Sequence, residues 1–159
     1  MVGTRYEEYL EAIHSVVQRK GYAKVSDVAA ILDVSQAATT QMLKRLSADG
    51  FVNYEPNSGV TLTDSGAGIA EALSKRHEIL QEFFEILGMD PETADDEACK
   101  IEHVARPETM ELLTHFVDFM KTRDSPKWLE TFKKYHREGV LDPCPGSCQE
   151  DEGPEASND

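Results

Sequence analysis

Within the first 62 residues, three helix-forming segments and two short extended runs follow one another in an order that few architectures accept. Tyr6, Tyr9, Leu10, Ile13, Val16 and Val17 recur at three- and four-residue spacing, which predicts an amphipathic helix over residues 5–19, ended by Lys20-Gly21. Ser26 is placed to cap a second helix carrying Val28, Ala29, Ile31 and Leu32. Asp33-Val34 makes a tight connection, and Ser35 caps a third helix that runs to Ala48, with Gly50 just past its end. Phe51-Val52-Asn53-Tyr54 and Val60-Thr61-Leu62 then read as strands around the turn formers Glu55-Pro56-Asn57-Ser58-Gly59. Helix, helix, tight turn, helix, hairpin is the order of a winged helix-turn-helix.

The remainder reads as helical. A long helix is expected from Thr63 to about Leu87, with an apolar stripe through Ile69, Leu73, Ile79, Leu80, Phe83 and Phe84. Asp90-Pro91 opens another, with proline at the first helical position, and Arg106-Pro107 interrupts and restarts it. After Pro107 the apolar set Met110, Leu112, Leu113, Phe116, Val117, Phe119 and Met120 is wider than one stripe. Such a helix is expected to bury two faces, one of them against a second copy of the chain. Ser125-Pro126 starts a last helix to about Arg137, with Trp128 and Phe132 expected to pack it onto the domain. Beyond Gly139 the composition falls to Pro, Gly, Ser and acids, which reads as a disordered tail. The expected class is mainly α. A winged helix-turn-helix over 1–72 precedes an all-helical domain over 73–140 and an acidic tail over 141–159.

A chain of 159 residues can bury one good core or two small modules that share an interface. No apolar run approaches the roughly 20 residues of a membrane span, and the N-terminus turns acidic at once instead of forming a signal peptide. Three cysteines, an odd number, suit a reducing compartment, so the cytoplasm is the expected location. The net charge of −14 argues against nucleic acid until its distribution is considered. Residues 1–72 carry 6 basic and 9 acidic side chains, whereas the last 19 carry 6 acids and no base. Most of the acidity therefore lies away from the N-terminal module, and phosphate binding follows the local potential rather than the sum over the chain.

On the third helix Thr39, Met42, Leu43 and Leu46 share one face, leaving Gln36, Ala37, Thr40, Gln41 and Lys44 outward, with Ser35 at the cap. Small residues that permit close approach, amides that can bond base edges and a lysine for phosphate suit double-stranded DNA. A solvated helix in a module that binds only protein is the bland reading of the same face.

A second constellation consists of Glu8, Glu11, His77, Cys99, Glu102 and His103. Glu8 and Glu11 lie three apart on one helical face, and Cys99 stands three and four residues before Glu102 and His103. Carboxylate, imidazole and thiolate together form a borderline donor set, suited to Fe(II), Mn(II), Co(II) or Zn(II) and too soft for calcium or magnesium. Spacing alone also allows a solvated glutamate pair, an ordinary mid-helix histidine and a core cysteine. His14, His115 and His136 have no partner spacing, and Cys144 and Cys148 lack the spacing of common zinc sites. No nucleophile motif or glycine-rich phosphate loop is present, so neither an enzyme nor a small organic substrate is expected. A metallohydrolase built on the Glu/His/Cys cluster and a metal-independent winged-helix regulator answering an organic effector are the alternatives.

Several stretches carry a wider likeness. They are Glu7-Glu8-Tyr9-Leu10-Glu11-Ala12-Ile13, Lys20-Gly21-Tyr22-Ala23-Lys24-Val25-Ser26-Asp27-Val28-Ala29, Val60-Thr61-Leu62-Thr63 with Gly66, Arg76-His77-Glu78-Ile79-Leu80 and Ile101-Glu102-His103. In these the chain resembles the diphtheria toxin repressor family of metal-dependent repressors, in its short manganese-transport-regulator branch, from about residue 4 to 138. The resemblance implies a DNA-binding winged helix, a helical dimerisation domain without an SH3-like domain, and metal ligands at Glu8, Glu11, His77, Cys99, Glu102 and His103. Two positions depart from the manganese branch, where Asp usually stands in place of Glu8 and Glu in place of Cys99. Cysteine there resembles the iron-responsive members, in which Met occupies the position of Glu8. The resemblance thus implies a homodimeric repressor of metal-ion homeostasis that binds operator DNA when loaded with Fe(II), the favoured ion, or Mn(II).

Overall fold

A computed structural model describes residues 3–122 and 126–140. The elements are α1 (Thr4–Lys20), α2 (Val25–Ile31), α3 (Gln36–Ala48), β1 (Val52–Glu55), β2 (Gly59–Leu62), α4 (Asp64–Leu87), α5 (Pro91–Ile101), α6 (Pro107–Lys121) and α7 (Lys127–Glu138). The strands pair antiparallel, with Val52 opposite Leu62 and Glu55 opposite Gly59, and the turn between them carries Asn57 at φ 70°. By contact density the chain divides after Thr122, so α7 is described by itself.

The winged helix follows its local signals closely. Ser35 Oγ accepts the Ala38 N–H and caps α3, while the chain leaves that helix through Gly50 at φ 80°. α2 departs from expectation. Lys24, not Ser26, is its N-cap, and the Asp27 carboxylate accepts the Lys24 N–H at 3.1 Å. An acid at the third helical position thus supplies the satisfaction expected from a serine cap. Tyr9, Leu10, Ile13, Val16, Val28, Leu43, Leu46, Val52 and Val60 close one core beneath the three helices and the hairpin.

α4 runs out of this module and packs against α1, α5 and α6. Thr63 Oγ1 caps it through the Gly66 N–H and also donates to the Gly50 carbonyl at 2.8 Å, which ties the start of α4 to the end of α3. Gly66 is buried against the same junction. A Cβ there would stand 2.0 Å from the Phe51 carbonyl oxygen. Leu80, Ala98 and Met110 form a second cluster between α4, α5 and α6.

α5 ends earlier than the sequence predicts, at Ile101, so Glu102 and His103 lie in a turn and not on the helix. Val104 N–H bonds Ile101 O at 3.0 Å, a tightened last turn that ends the helix well before Pro107. α6 buries Met110, Val117 and Met120 and leaves Leu112 70% exposed, in keeping with an apolar circumference wider than one chain covers. In α7 the expected anchors are corrected. Trp128 and Phe132 are exposed, and Leu129 is the buried residue of this helix. Residues 141–159, with Cys144, Cys148 and the expected tail, lie outside the described residues.

The α3–α4 junction yields the first prediction. Gly66→Ala is expected to destabilise the protein by about 1–3 kcal/mol, since a carbonyl, unlike a flexible side chain, cannot move aside. Gly68→Ala, with nothing within 4 Å of its added carbon, is expected to stabilise by about 0.5–1 kcal/mol. Urea unfolding of both variants checks this. Equal effects of the two would show that the close approach does not constrain α4.

Candidate metal centre

α1 sends Tyr9, Leu10, Ile13 and Val16 into the core, which leaves Glu7, Glu8 and Glu11 along the edge that looks towards α4 and the turn after α5. α4 contributes His77, α5 contributes Cys99, and the turn contributes Glu102 and His103. One donor atom from each of Glu11, Glu102 and His103 lies within 4.8 Å of the other two. Glu8, Glu11, Cys99 and His103 line one cavity of about 930 Å³, and His77 Nδ1 stands 3.0 Å from Glu102 Oε2. Donor atoms of Glu11, Glu102 and His103 thus converge, Glu8 and Cys99 line the adjoining cavity, and His77 reaches the cluster through Glu102.

Glu102 organises the cluster. Its side chain has no exposed surface. Oε2 receives His77, whereas Oε1 has no partner of hydrogen-bond geometry and sees only His103 Nε2 at 3.3 Å. An unsatisfied buried carboxylate oxygen costs roughly 1–3 kcal/mol or more, so a fold that keeps one calls for a reason. The main-chain carbonyl of Glu102 accepts Arg76 Nη1 at 3.3 Å, which anchors the turn without neutralising its acid. A bare acceptor between a second carboxylate and an imidazole is a donor set that fits a divalent transition metal.

The electrostatics agree. Burial, and then the charge of Glu11, push the Glu102 carboxyl up to about 7, against the pull of His77 and His103. Burial alone would lower His77, but its hydrogen bond to Asp95 and the proximity of Glu102 raise it overall. Burial pushes the Cys99 thiol up, and Glu102, Glu11, Asp95 and Asp96 push the same way. Cys99 is exposed, unlike the core cysteine that one reading of the sequence allowed. Glu102 and Cys99 are thus both held towards their neutral forms, as expected where acids crowd together without enough positive charge.

Two residues that spacing did not single out complete the surroundings. Glu7 Oε2 is 3.0 Å from His103 Nδ1, and Asp95 Oδ1 is 2.9 Å from His77 Nε2. Their signals were present, since Glu7 shares a helical face with Glu11 four residues on, and Asp95 shares one with Cys99. Away from this site, Gln36, Ala37, Gln41 and Lys44 are exposed on α3. Thr40 is half-buried and donates its hydroxyl proton to Gln36 O, and the Ser35 hydroxyl caps the helix. Gln36 and Thr40 face Tyr54, Pro56 and Asn57 across a cleft of about 660 Å³ between α3 and the hairpin.

Residues 1–60 match the family model described as iron dependent repressor, N-terminal DNA binding domain. Residues 63–127 match the iron dependent repressor metal binding and dimerisation domain. The chain belongs to the iron-dependent repressor family. Relatives in this family include the HTH-type transcriptional regulator MntR of Oceanobacillus iheyensis, 38% identical over 75% of this chain and 81% of that protein. MntR of Bacillus subtilis is 34% identical over 76% of this chain and 85% of its own length. A solved structure described as a manganese-dependent transcriptional repressor in complex with manganese is 27% identical, with a TM-score of 0.65, over 72% of this chain and 53% of that one. As a member of this family the chain is a metal-dependent, DNA-binding transcriptional repressor and not an enzyme. Among the described residues no helix is long and apolar enough to cross a membrane.

Because Glu102 holds its proton more tightly when folded than when unfolded, its contribution is complete below the ordinary carboxylate value of 4.5. It is lost as pH rises towards about 7. Glu102→Gln in metal-free protein is therefore expected to raise the melting temperature at pH 8, with the advantage fading near pH 4. Thermal unfolding in chelator across that range is the check. A variant less stable than the parent at pH 8 would mean that the buried charge is already compensated.

Proposed function

We propose that the chain works as a homodimer in the cytoplasm and binds operator DNA when Glu8, Glu11, His77, Cys99, Glu102 and His103 hold Fe(II) or Mn(II). The observation that carries this reading is the bare, fully buried Glu102 carboxylate oxygen beside Glu11 and His103, where α1 meets the turn after α5. The ion supplies the positive charge that this cluster of acids lacks, and it acts as a ligand that selects one conformation.

Glu11 rides on α1, inside the winged helix, whereas Glu102 and His103 ride on the helical layer beyond α4. With the repulsion between Glu11 and Glu102 offset, α1 is held against the turn. α1 carries the recognition helix with it, since Tyr6 OH donates to Asp49 Oδ2 at 2.7 Å at the end of α3, in addition to the shared core. In a dimer this fixes the separation of two α3 helices to suit half-sites about one DNA turn apart. Gln36, Ala37 and Gln41 are then offered to base edges, with Ser35 and Thr40 beside them and Lys44 to phosphate. The exposed apolar side of α6, with Leu112, belongs to the interface between copies.

Metal choice rests on two residues. The Cys99 thiolate is softer than a carboxylate and shifts preference from Mn(II) towards Fe(II), Co(II) and Zn(II), while Glu8, a hard donor, favours Mn(II) and Fe(II). Fe(II) satisfies both, with Mn(II) close behind; the likeness to a manganese-dependent repressor solved with manganese favours Mn(II).

Anaerobic titration of promoter DNA from metal-uptake genes, with chelator and then with each metal, tests the proposal. Metal-loaded protein is expected to bind at least tenfold more tightly than chelated protein, about 1.4 kcal/mol of coupling. Cys99→Glu is expected to raise the response to Mn(II) relative to Fe(II). Equal binding with and without chelator would contradict the switch, and an unchanged Fe(II)/Mn(II) ratio would remove Cys99 from selectivity.

A further inference from the structure

His103 presents its two ring nitrogens to two different carboxylates. Nε2 looks into the donor cluster, 3.3 Å from the bare Glu102 Oε1. Nδ1 looks away from it and lies 3.0 Å from Glu7 Oε2. The Glu7 and His103 side chains are 16% and 8% exposed, so water competes weakly for this contact. The comparable pair at His77 is open by contrast, because Asp95 is 60% exposed.

A histidine can offer a metal only a nitrogen without a proton, and the other nitrogen must then carry the hydrogen. A carboxylate that accepts this N–H selects the tautomer, aims the ring and makes the ligating nitrogen a better donor. Glu7 is not itself one of the residues whose donor atoms converge with Glu11 and Glu102, and its near oxygen faces the side of the ring turned from them. We propose that Glu7 is a positioning residue: it accepts the Nδ1–H of His103 and so fixes Nε2 as the nitrogen offered to the metal.

This inference rests on the metal reading of the cluster and adds a consequence to it. Glu7 belongs to α1 and His103 to the turn after α5, a separation of 96 positions. The same hydrogen bond that aims the ligand therefore joins α1 to the turn after α5 through a pair of which only His103 is a ligand. Displacing α1 would disturb the ligand field as well as the position of the recognition helix. Glu7 thereby couples the two through geometry.

The test uses the full chain with Zn²⁺ as the probe, in competition with a fluorescent chelator, for the parent, Glu7→Ala and Glu7→Gln. Glu7→Ala is expected to weaken Zn²⁺ binding about 10–100-fold. Glu7→Gln keeps an acceptor oxygen without its charge, and is expected to recover most of that loss. Long-range ¹H–¹⁵N spectra of the zinc-loaded proteins report the ring directly. The parent is expected to show His103 protonated at Nδ1 with a strongly downfield proton, which moves upfield in Glu7→Gln and exchanges away in Glu7→Ala. A merely structural contact would lower stability and leave this resonance in place. Should Glu7→Ala not fold, an unshifted His103 proton in Glu7→Gln overturns the proposal. Affinities of all three proteins within twofold overturn it as well. A parent that binds no Zn²⁺ refutes the metal reading itself, which is a different result.

Discussion

A carboxylate with no exposed surface and one oxygen left bare is an unstable thing to build, and the rest of this structure depends on it. Glu102 stands between Glu11 and two imidazoles, and its carboxyl is pushed up to about 7 by burial and by its acidic neighbour. Glu11 adds negative charge beside it and the two imidazoles turn ring nitrogens towards it, while Arg76 reaches only its main-chain carbonyl. The fold therefore gives up some stability here, a deficit that the proposed cation would offset. This is the behaviour expected of a protein whose states must differ with metal, since a site already satisfied without metal would have little differential affinity to offer.

The scaffold turns that local deficit into a long-range one. The α1 edge that carries Glu7, Glu8 and Glu11 is the reverse of the face that fills the winged-helix core. Edge and core are opposite faces of one helix, and the Tyr6–Asp49 hydrogen bond joins that helix to the end of α3. α4 meets both layers, and its start is fixed by Thr63 and by the close approach of Gly66 to the Phe51 carbonyl. A stiff helix seated on a glycine contact transmits position better than a flexible linker would.

Much of this was legible in the sequence because the signals were local. The Ser35 cap, the Gly50 exit, the proline at the head of α5 and the turn at Asn57 each act over a few residues, and each places an element boundary. Gathering Glu8, Glu11, His77, Cys99, Glu102 and His103 needed the family likeness as well, since helical spacing alone left bland readings open. What spacing missed depended on three dimensions. The early end of α5 puts Glu102 in a turn, where its carboxylate can be wholly buried. Glu7 and Asp95 acquired partners only through the packing of α1 and α4 on α5. The cap of α2 was misread because a lysine backbone satisfied by Asp27 leaves no serine signature, and Trp128 was misread because bulk alone does not tell which side of a helix is covered.

The central claim is that the metal cluster and the DNA-binding face share one conformational equilibrium, and linkage allows it to be read from the metal side. If metal strengthens DNA binding by some factor, DNA must strengthen metal binding by the same factor. The direct measurement is the affinity of the full chain for Mn(II), by chelator competition under anaerobic conditions, with and without a saturating operator duplex. The account predicts at least a tenfold gain in affinity in the presence of operator, and none with a duplex of unrelated sequence that the protein does not bind. An affinity for Mn(II) that is the same with and without operator would show that the two sites are independent.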